Sequence, residues 1–162
     1  MKPKVYLDAT IPSYLHDDRE VLHPFVEITR QWWADESGAY QLFVSNAVID
    51  EVESGNYPRK ADVLSTVRQL DVLPFEQAIV DIAEFYIEHR LMPQSLRGDA
   101  AHLAYASYYR CDFLLTIDIG PNQDKMLIQE LNDLGLGEGL RLHLFAELSP
   151  IRIEVQKNLL VL

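Results

Sequence analysis

The segment Val5-Tyr6-Leu7-Asp8-Ala9-Thr10 begins with a short, wholly apolar run that stops at an acid. Such an uninterrupted run is typical of a strand that is buried on both faces of a parallel sheet. The same pattern recurs in Leu42-Phe43-Val44 and in Phe113-Leu114-Leu115-Thr116-Ile117, and a weaker candidate is Val72-Leu73. We therefore predict a buried parallel sheet at the centre of the fold.

Helical patterns separate these apolar runs. Apolar side chains recur at helical spacing in residues 22–37, 60–70, 76–91, 99–109 and 123–134. Strands that alternate with helices imply βαβ crossovers, so we predict an α/β fold with a mainly parallel sheet and helices on both faces. Residues 140–145 and 151–156 instead alternate between apolar and polar side chains, which predicts extra, half-exposed edge strands at the C-terminus.

The composition bounds the class of protein. The chain has 162 residues, 14 Lys plus Arg, 25 Asp plus Glu and a formal net charge of −11, a length that suits a single domain over residues 1–162. The single Cys111 and the lack of an apolar run of about 20 residues predict a cytoplasmic protein with no membrane partner. The excess of acid argues against coating nucleic acid by bulk positive charge, but it allows carboxylates gathered around cations.

Two acids directly follow predicted strands. Asp8 ends the first apolar run and Asp118 ends the run over residues 113–117. Ligands of open α/β sheets bind at the carboxyl ends of the strands, so both carboxylates are candidates for a functional site. The alternatives are that Asp8 caps a short helix and that Asp118 forms a turn.

Two further acids belong to predicted helices. Glu51 lies on a helix that opens at Ser45 or Asn46, at the boundary of the inward apolar face, and the alternative is a pair with a nearby Lys or Arg. Asp99 opens a later helix, where the helix dipole alone favours an acid. We expect His102, one turn on, to pack or bond locally rather than to bind metal.

Four such acids could meet in one pocket only together with cations. Two bare carboxylates about 4 Å apart repel by roughly 4 kcal/mol at an effective dielectric of about 20. Oxygen ligands without Cys or paired His favour Mg²⁺ or Mn²⁺ over Zn²⁺. Such a centre typically aligns a water for attack on a phosphodiester.

Four motifs in this order carry a family resemblance: Leu7-Asp8-Ala9-Thr10, the segment from Ser45 to Glu51, Asp99-Ala100-Ala101-His102 and Leu115-Thr116-Ile117-Asp118. They resemble a PIN domain, and in particular the small stand-alone bacterial PIN proteins that include the VapC-like toxins of type II toxin–antitoxin systems. The resemblance covers residues 4–147 and leaves 148–162 as a C-terminal extension or edge strand. It implies a three-layer α/β/α sandwich, Mg²⁺- or Mn²⁺-dependent endoribonuclease activity, a homodimer and often an antitoxin partner.

The resemblance also implies roles for single residues. The family's acidic quartet, which binds metal and supports catalysis, maps onto Asp8, Glu51, Asp99 and Asp118. Thr10 maps onto a residue that supports the first Asp, and Asn122 or Asp124 is proposed for a further polar position that is common in the family. Many relatives carry Asn where this chain has Asp118.

Contacts to RNA phosphates have to come from local basic residues because the chain as a whole is acidic. The candidates are Lys2, Lys4, Arg59, Lys60, Arg97 and Lys125. Arg97, beside Asp99, is the most attractive, and we assign RNA binding to Arg97 and Lys60. Each of the candidates also fits a solvated surface residue, and we expect no DNA-specific recognition.

Two other functions compete with the nuclease. The first is a PIN fold that has lost turnover and acts as a protein- or RNA-binding module. The second is phosphotransfer on an Asp8 nucleophile, which is disfavoured because such sites usually have a second Asp where Thr10 stands. No quartet position is apolar, so the sequence favours the enzyme.

Overall fold

The computed structural model describes residues 1–56, 58–89, 98–117 and 141–144. The described strands are β1 (Lys4–Leu7), β2 (Gln41–Ser45), β3 (Asp71–Leu73), β4 (Phe113–Thr116) and β5 (Arg141–Leu144). The described α-helices are α1 (Thr10–His16), α2 (His23–Asp35), α3 (Asn46–Ser54), α4 (Lys60–Val67), α5 (Gln77–Glu88) and α6 (Asp99–Tyr108). Short 3₁₀ helices cover Glu20–Leu22 and Ser37–Ala39.

The five strands form one parallel sheet in the order β3-β2-β1-β4-β5. The chain passes from β1 outward through β2 to β3, and then returns to add β4 and β5 on the other side of β1. The strand order therefore reverses between β1 and β4. Ligands of doubly wound sheets bind at this switch point, beyond the carboxyl ends of the strands.

Helices cover both faces of this sheet. Right-handed crossovers place the helices on one face while the chain moves toward β3 and on the other face when it returns to β4. The contacts agree, since α1 packs against α2 and α4, whereas α5 packs against α6. The predicted α/β fold with a parallel central sheet is confirmed.

The core lies around β1. The side chains of Val5, Tyr6 and Leu7 are fully buried because this strand has neighbours on both edges and helices on both faces. Ala100 and Ala104 are also buried on α6, and small side chains there let the helix lie close to its neighbours. The wholly apolar character of the first run thus follows from its central position.

The weaker sequence predictions have mixed outcomes. The strand candidate at Val72 is present as β3, an edge strand, and the edge strand expected over residues 140–145 is present as β5 beside β4. The helix predicted for 123–134, the alternating segment 151–156 and the extension 148–162 lie outside the described residues. The single domain over residues 1–162 stays a prediction. Within the described ranges, no helix is both long and apolar enough to cross a bilayer.

Candidate active site

Asp8 directly follows β1, at the switch point of the sheet, and is only 5% exposed. Its backbone N–H donates to the Leu115 carbonyl at 3.2 Å, which continues the pairing of β1 with β4 past the end of the strand. Its Oδ1 accepts the Thr10 backbone N–H at 2.9 Å and the Thr10 hydroxyl at 2.5 Å. Asp8 therefore bonds the first residue of α1 as a cap would, and it also places a buried carboxylate at the switch point.

Thr10 links the ends of the two central strands. In addition to its bonds with Asp8, its Oγ1 accepts the Ile117 backbone N–H at 3.2 Å. The Thr116 side chain is another hydrogen-bond partner of Asp8. The contact expected between Thr10 and Asp8 is present, and its part in catalysis stays a prediction.

The charge on Asp8 is poorly solvated. Burial raises the pKa of this carboxyl above its usual value, while His102, Thr10 and Thr116 act in the opposite direction. The largest contributions that favour its charged form come from His102, Thr10 and Thr116, none of which is a lysine or an arginine. A bound cation would stabilise this negative charge, which burial has placed in surroundings of low dielectric constant.

Glu51 lies on α3, the helix that follows β2, and its side chain is 37% exposed. Its Oε2 lies 2.9 Å from Nε2 of His102, which is buried on α6. The partner is a histidine from a distant helix rather than the nearby Lys or Arg that the sequence left open. This contact turns the carboxylate of Glu51 toward the first turn of α6.

Two side chains that the sequence analysis did not single out complete a chain of hydrogen bonds. The Tyr6 hydroxyl lies 2.9 Å from Nδ1 of His102 and 2.7 Å from Oγ of Ser45. His102 is buried and hydrogen-bonded, but the partners of its ring come from β1 and α3 rather than from its own helix. The sequence could have indicated a role for Tyr6, because a tyrosine hydroxyl in a strand that is buried on both faces needs a hydrogen-bond partner.

Asp99 is the first residue of α6 and is partly buried. It precedes His102 by three residues, so the two side chains share one side of the helix. Because His102 contacts Glu51, the start of α6 lies at the same edge of the sheet as the end of β1 and the helix after β2. The structure thus brings Asp8, Glu51 and Asp99 to one region.

The rest of the predicted site lies outside the described residues. This applies to Asp118, Asn122, Asp124 and Arg97. Within the described ranges, no group of three or more His, Cys, Asp or Glu side chains could hold a metal ion. Both nitrogens of His102 are engaged, so the donors present are carboxylate oxygens. Such donors suit a hard cation such as Mg²⁺, and a complete site needs a further ligand.

Two of the basic candidates in the described residues, Lys60 and Arg59, have protein partners. The Lys60 ammonium donates to the carbonyls of Glu53 and Gly55, the latter at 3.0 Å, and so caps the end of α3. Arg59 pairs with Asp62 at 2.7 Å. These contacts hold two positive charges at the start of α4, and RNA binding by Lys60 stays a prediction.

The parallel sheet with helices on both faces is consistent with a PIN-like α/β fold. No family model and no curated protein matches the sequence. Among solved structures, the chain is similar to VapC20 of Mycobacterium tuberculosis, a sarcin-ricin loop cleaving toxin, with a TM-score of 0.51 and 17% identity. The match covers 68% of this chain and 86% of VapC20. At this level of identity the likeness establishes the fold.

Proposed function

We propose that this protein is a metal-dependent endoribonuclease of the PIN type that hydrolyses phosphodiester bonds in RNA. The observation that carries the proposal is the buried Asp8 at the switch point of a PIN-like sheet, with Glu51 and Asp99 brought to the same edge. The fold likeness to an RNA-cleaving toxin supports RNA as the substrate.

The cofactor we propose is Mg²⁺ or Mn²⁺, held by Asp8, Glu51, Asp99 and Asp118. Several carboxylates at one edge repel each other unless a cation lies between them, and carboxylate oxygens are the preferred ligands of these ions. When bound, the ion supplies an activated water and stabilises the charge on the leaving oxygen.

The hydrogen bonds among the described residues support such chemistry at this edge of the sheet. Thr10 holds one carboxylate oxygen of Asp8 with two hydrogen bonds, so the carboxylate has a fixed orientation before any ligand arrives. The Glu51 carboxylate is held by its hydrogen bond with Nε2 of His102. Groups that are already oriented need little reorganisation during the reaction. Asn122 and Asp124 are proposed as supporting groups.

RNA binding by this protein should be weak and should depend strongly on Mg²⁺. The net charge of −11 repels the RNA backbone, so binding has to rely on the metal and on the local charges of Arg97 and Lys60. Tight binding of RNA in EDTA would contradict this mode of recognition.

For the biological setting, we propose the toxin-like member of a cytoplasmic toxin–antitoxin pair that acts as a homodimer. An acidic surface favours a partner segment rich in Lys and Arg, which is the chemistry we expect of the antitoxin. Light scattering of the purified chain tests the homodimer, and a monomer at micromolar concentration would exclude it.

The deciding experiment measures cleavage of a mixed RNA substrate with Mn²⁺ and with EDTA. We expect cleavage that requires the metal and that falls about 100-fold or more in Asp8→Asn and Asp99→Asn, with Asp35→Asn on the exposed face of α2 as the matched control. Unchanged cleavage in both site variants would exclude the proposed mechanism.

Thermal unfolding separates the enzyme from a binding module with the same fold. A ligand at 100 times its dissociation constant stabilises a protein by about 2.7 kcal/mol, so Mn²⁺ should raise the melting temperature of the wild type and not that of Asp8→Asn. Stabilisation without cleavage would favour the binding module.

A further inference from the structure

We propose that His102 is a positioning residue that holds the Glu51 carboxylate in place for the reaction, and that Tyr6 and Ser45 hold the imidazole ring. This inference rests on the proposed function and adds to it a group outside the acidic quartet. His102 acts through Glu51 and touches neither substrate nor metal.

The first support is the contrast in burial between the two partners. Glu51 is a long side chain that is 37% exposed, and holding it in one conformation costs rotamer entropy. His102 is 4% exposed and has partners at both ring nitrogens. The buried ring, held at both nitrogens, therefore favours one orientation of the more exposed carboxylate.

The second support is the direction of the hydrogen bonds. An ionised carboxylate can only accept, so Nε2 of His102 carries the hydrogen that bonds Glu51. Nδ1 of the neutral ring is then an acceptor for the Tyr6 hydroxyl, and Tyr6 in turn accepts from Ser45. The four groups thus form a single directed chain from Ser45 through Tyr6 and His102 to Glu51.

The third support is that neither ring nitrogen is available to a metal. A histidine ligand needs a free nitrogen lone pair, whereas here Nε2 donates to Glu51 and Nδ1 accepts from Tyr6. His102 also follows Asp99 by three residues on α6, so it lies one turn from a second proposed ligand. His102 can therefore act on the proposed metal site only indirectly, by orienting a neighbouring ligand.

The test measures Mn²⁺ binding by calorimetry, and kcat and KM for RNA cleavage, in five proteins: wild type, His102→Ala, His102→Gln, Glu51→Gln and His102→Ala/Glu51→Gln. Loss of such an orienting partner typically costs about 10- to 100-fold in metal affinity or activity. We expect this loss in His102→Ala, as weaker Mn²⁺ binding and lower kcat with little change in KM. His102→Gln should retain most of both because its amide can still donate to Glu51.

A role through Glu51 also predicts that the two substitutions are not additive. His102→Ala should cause no further loss in the Glu51→Gln background. The matched control is His23→Ala on α2. This substitution also removes a His–Glu pair, since Nε2 of His23 lies 3.7 Å from Oε1 of Glu27, but both side chains are exposed, at 67% and 59%. We expect wild-type binding and cleavage in this control.

Two outcomes would overturn the inference while the proposed function stands: full additivity of His102→Ala with Glu51→Gln, or an equal loss in His102→Gln and His102→Ala. A wild type that neither binds Mn²⁺ nor cleaves RNA would instead remove the proposed function, and the inference with it.

If His102→Ala fails to fold, ¹⁵N NMR of the wild type can determine which ring nitrogen of His102 carries the hydrogen. We expect hydrogen on Nε2 and none on Nδ1 in the neutral ring, with a shift of the Nε2 signal in Glu51→Gln. A neutral ring protonated at Nδ1 would overturn the inference.

Discussion

Nε2 of His102 and Oε2 of Glu51 lie 2.9 Å apart, although 51 positions of sequence separate the two residues. The contact joins α6 to α3 across the carboxyl edge of the sheet. It continues through Tyr6 on β1 to Ser45 at the end of β2. A polar chain therefore links four elements at the edge where the acids lie.

Tyr6→Phe tests the contribution of this chain to stability. The substitution removes one hydroxyl and leaves Ser45 and His102 each with one partner fewer at a buried site. We expect the free energy of unfolding to fall by about 1–3 kcal/mol in urea titrations. Tyr108→Phe on the exposed part of α6 is the control, and equal stability of the two variants would contradict the prediction.

Asp8→Asn should make the metal-free protein more stable at neutral pH. Burial raises the pKa of Asp8 in the folded state, so the native state binds more protons than the unfolded chain between the two pKa values. The free energy of unfolding therefore falls as the pH rises through this window, and the loss persists at pH 7.

Asparagine keeps an acceptor for Thr10 and carries no charge. We expect the melting temperature in EDTA to rise, because the folded variant no longer buries a poorly compensated negative charge. A lower melting temperature of Asp8→Asn than of the wild type in EDTA would show that the charged form is favoured in the folded state.

Asp17 should contribute stability that depends on pH in the opposite sense. The Arg19 guanidinium donates to its carboxylate at 2.6 and 3.1 Å and holds the pKa of Asp17 below its usual value. This stabilisation is present above the unfolded pKa of about 3.9 and is lost as the pH falls through the lower folded pKa.

Asp17→Asn should therefore be less stable than the wild type at pH 7, and the difference should be smaller at about pH 3, below the unfolded-chain pKa of about 3.9. Urea titrations at the two pH values measure the change. Asp18→Asn, at the exposed neighbouring position, should show no such difference. A gap that is equal at both pH values would contradict the prediction.

Lys60→Met should weaken RNA binding and loosen the end of α3. Loss of one phosphate contact lowers the slope of log affinity against log salt by about one unit. We expect this change in fluorescence binding titrations with Mg²⁺ present, together with a modest loss of stability because the carbonyls of Glu53 and Gly55 lose their donor. A slope equal to that of Arg68→Met, which removes the surface pair with Glu53, would rule out an RNA contact.

Cys111 should be inert in the folded protein. Burial raises the pKa of its thiol to about 12. Since the thiolate is the reactive form, alkylation by iodoacetamide at pH 8 should be about 1,000-fold slower than in the unfolded chain. Mass spectrometry of native and urea-unfolded samples measures this ratio, and rapid labelling of the native protein would contradict the burial of this residue.

Much of the fold could be predicted from local sequence. The run Val5-Tyr6-Leu7 is apolar at every position because β1 is buried on both faces, and this pattern does not depend on which strands are its neighbours. Helices α3, α5 and α6 follow equally from their spacing and small residues. The short β3 was harder to predict because three edge residues carry little pattern.

For the site, too, local sequence predicted some features and tertiary packing decided the others. The sequence by itself determined that acids follow buried strands or open helices, as with Asp8 and Asp99, because those positions depend on local chain geometry. It did not determine that Tyr6, Ser45, His102 and Glu51 form one chain of hydrogen bonds. Only the tertiary structure decided this, because it depends on β1 lying between β2 and β4, and strand order is a property of long-range packing rather than of any local pattern.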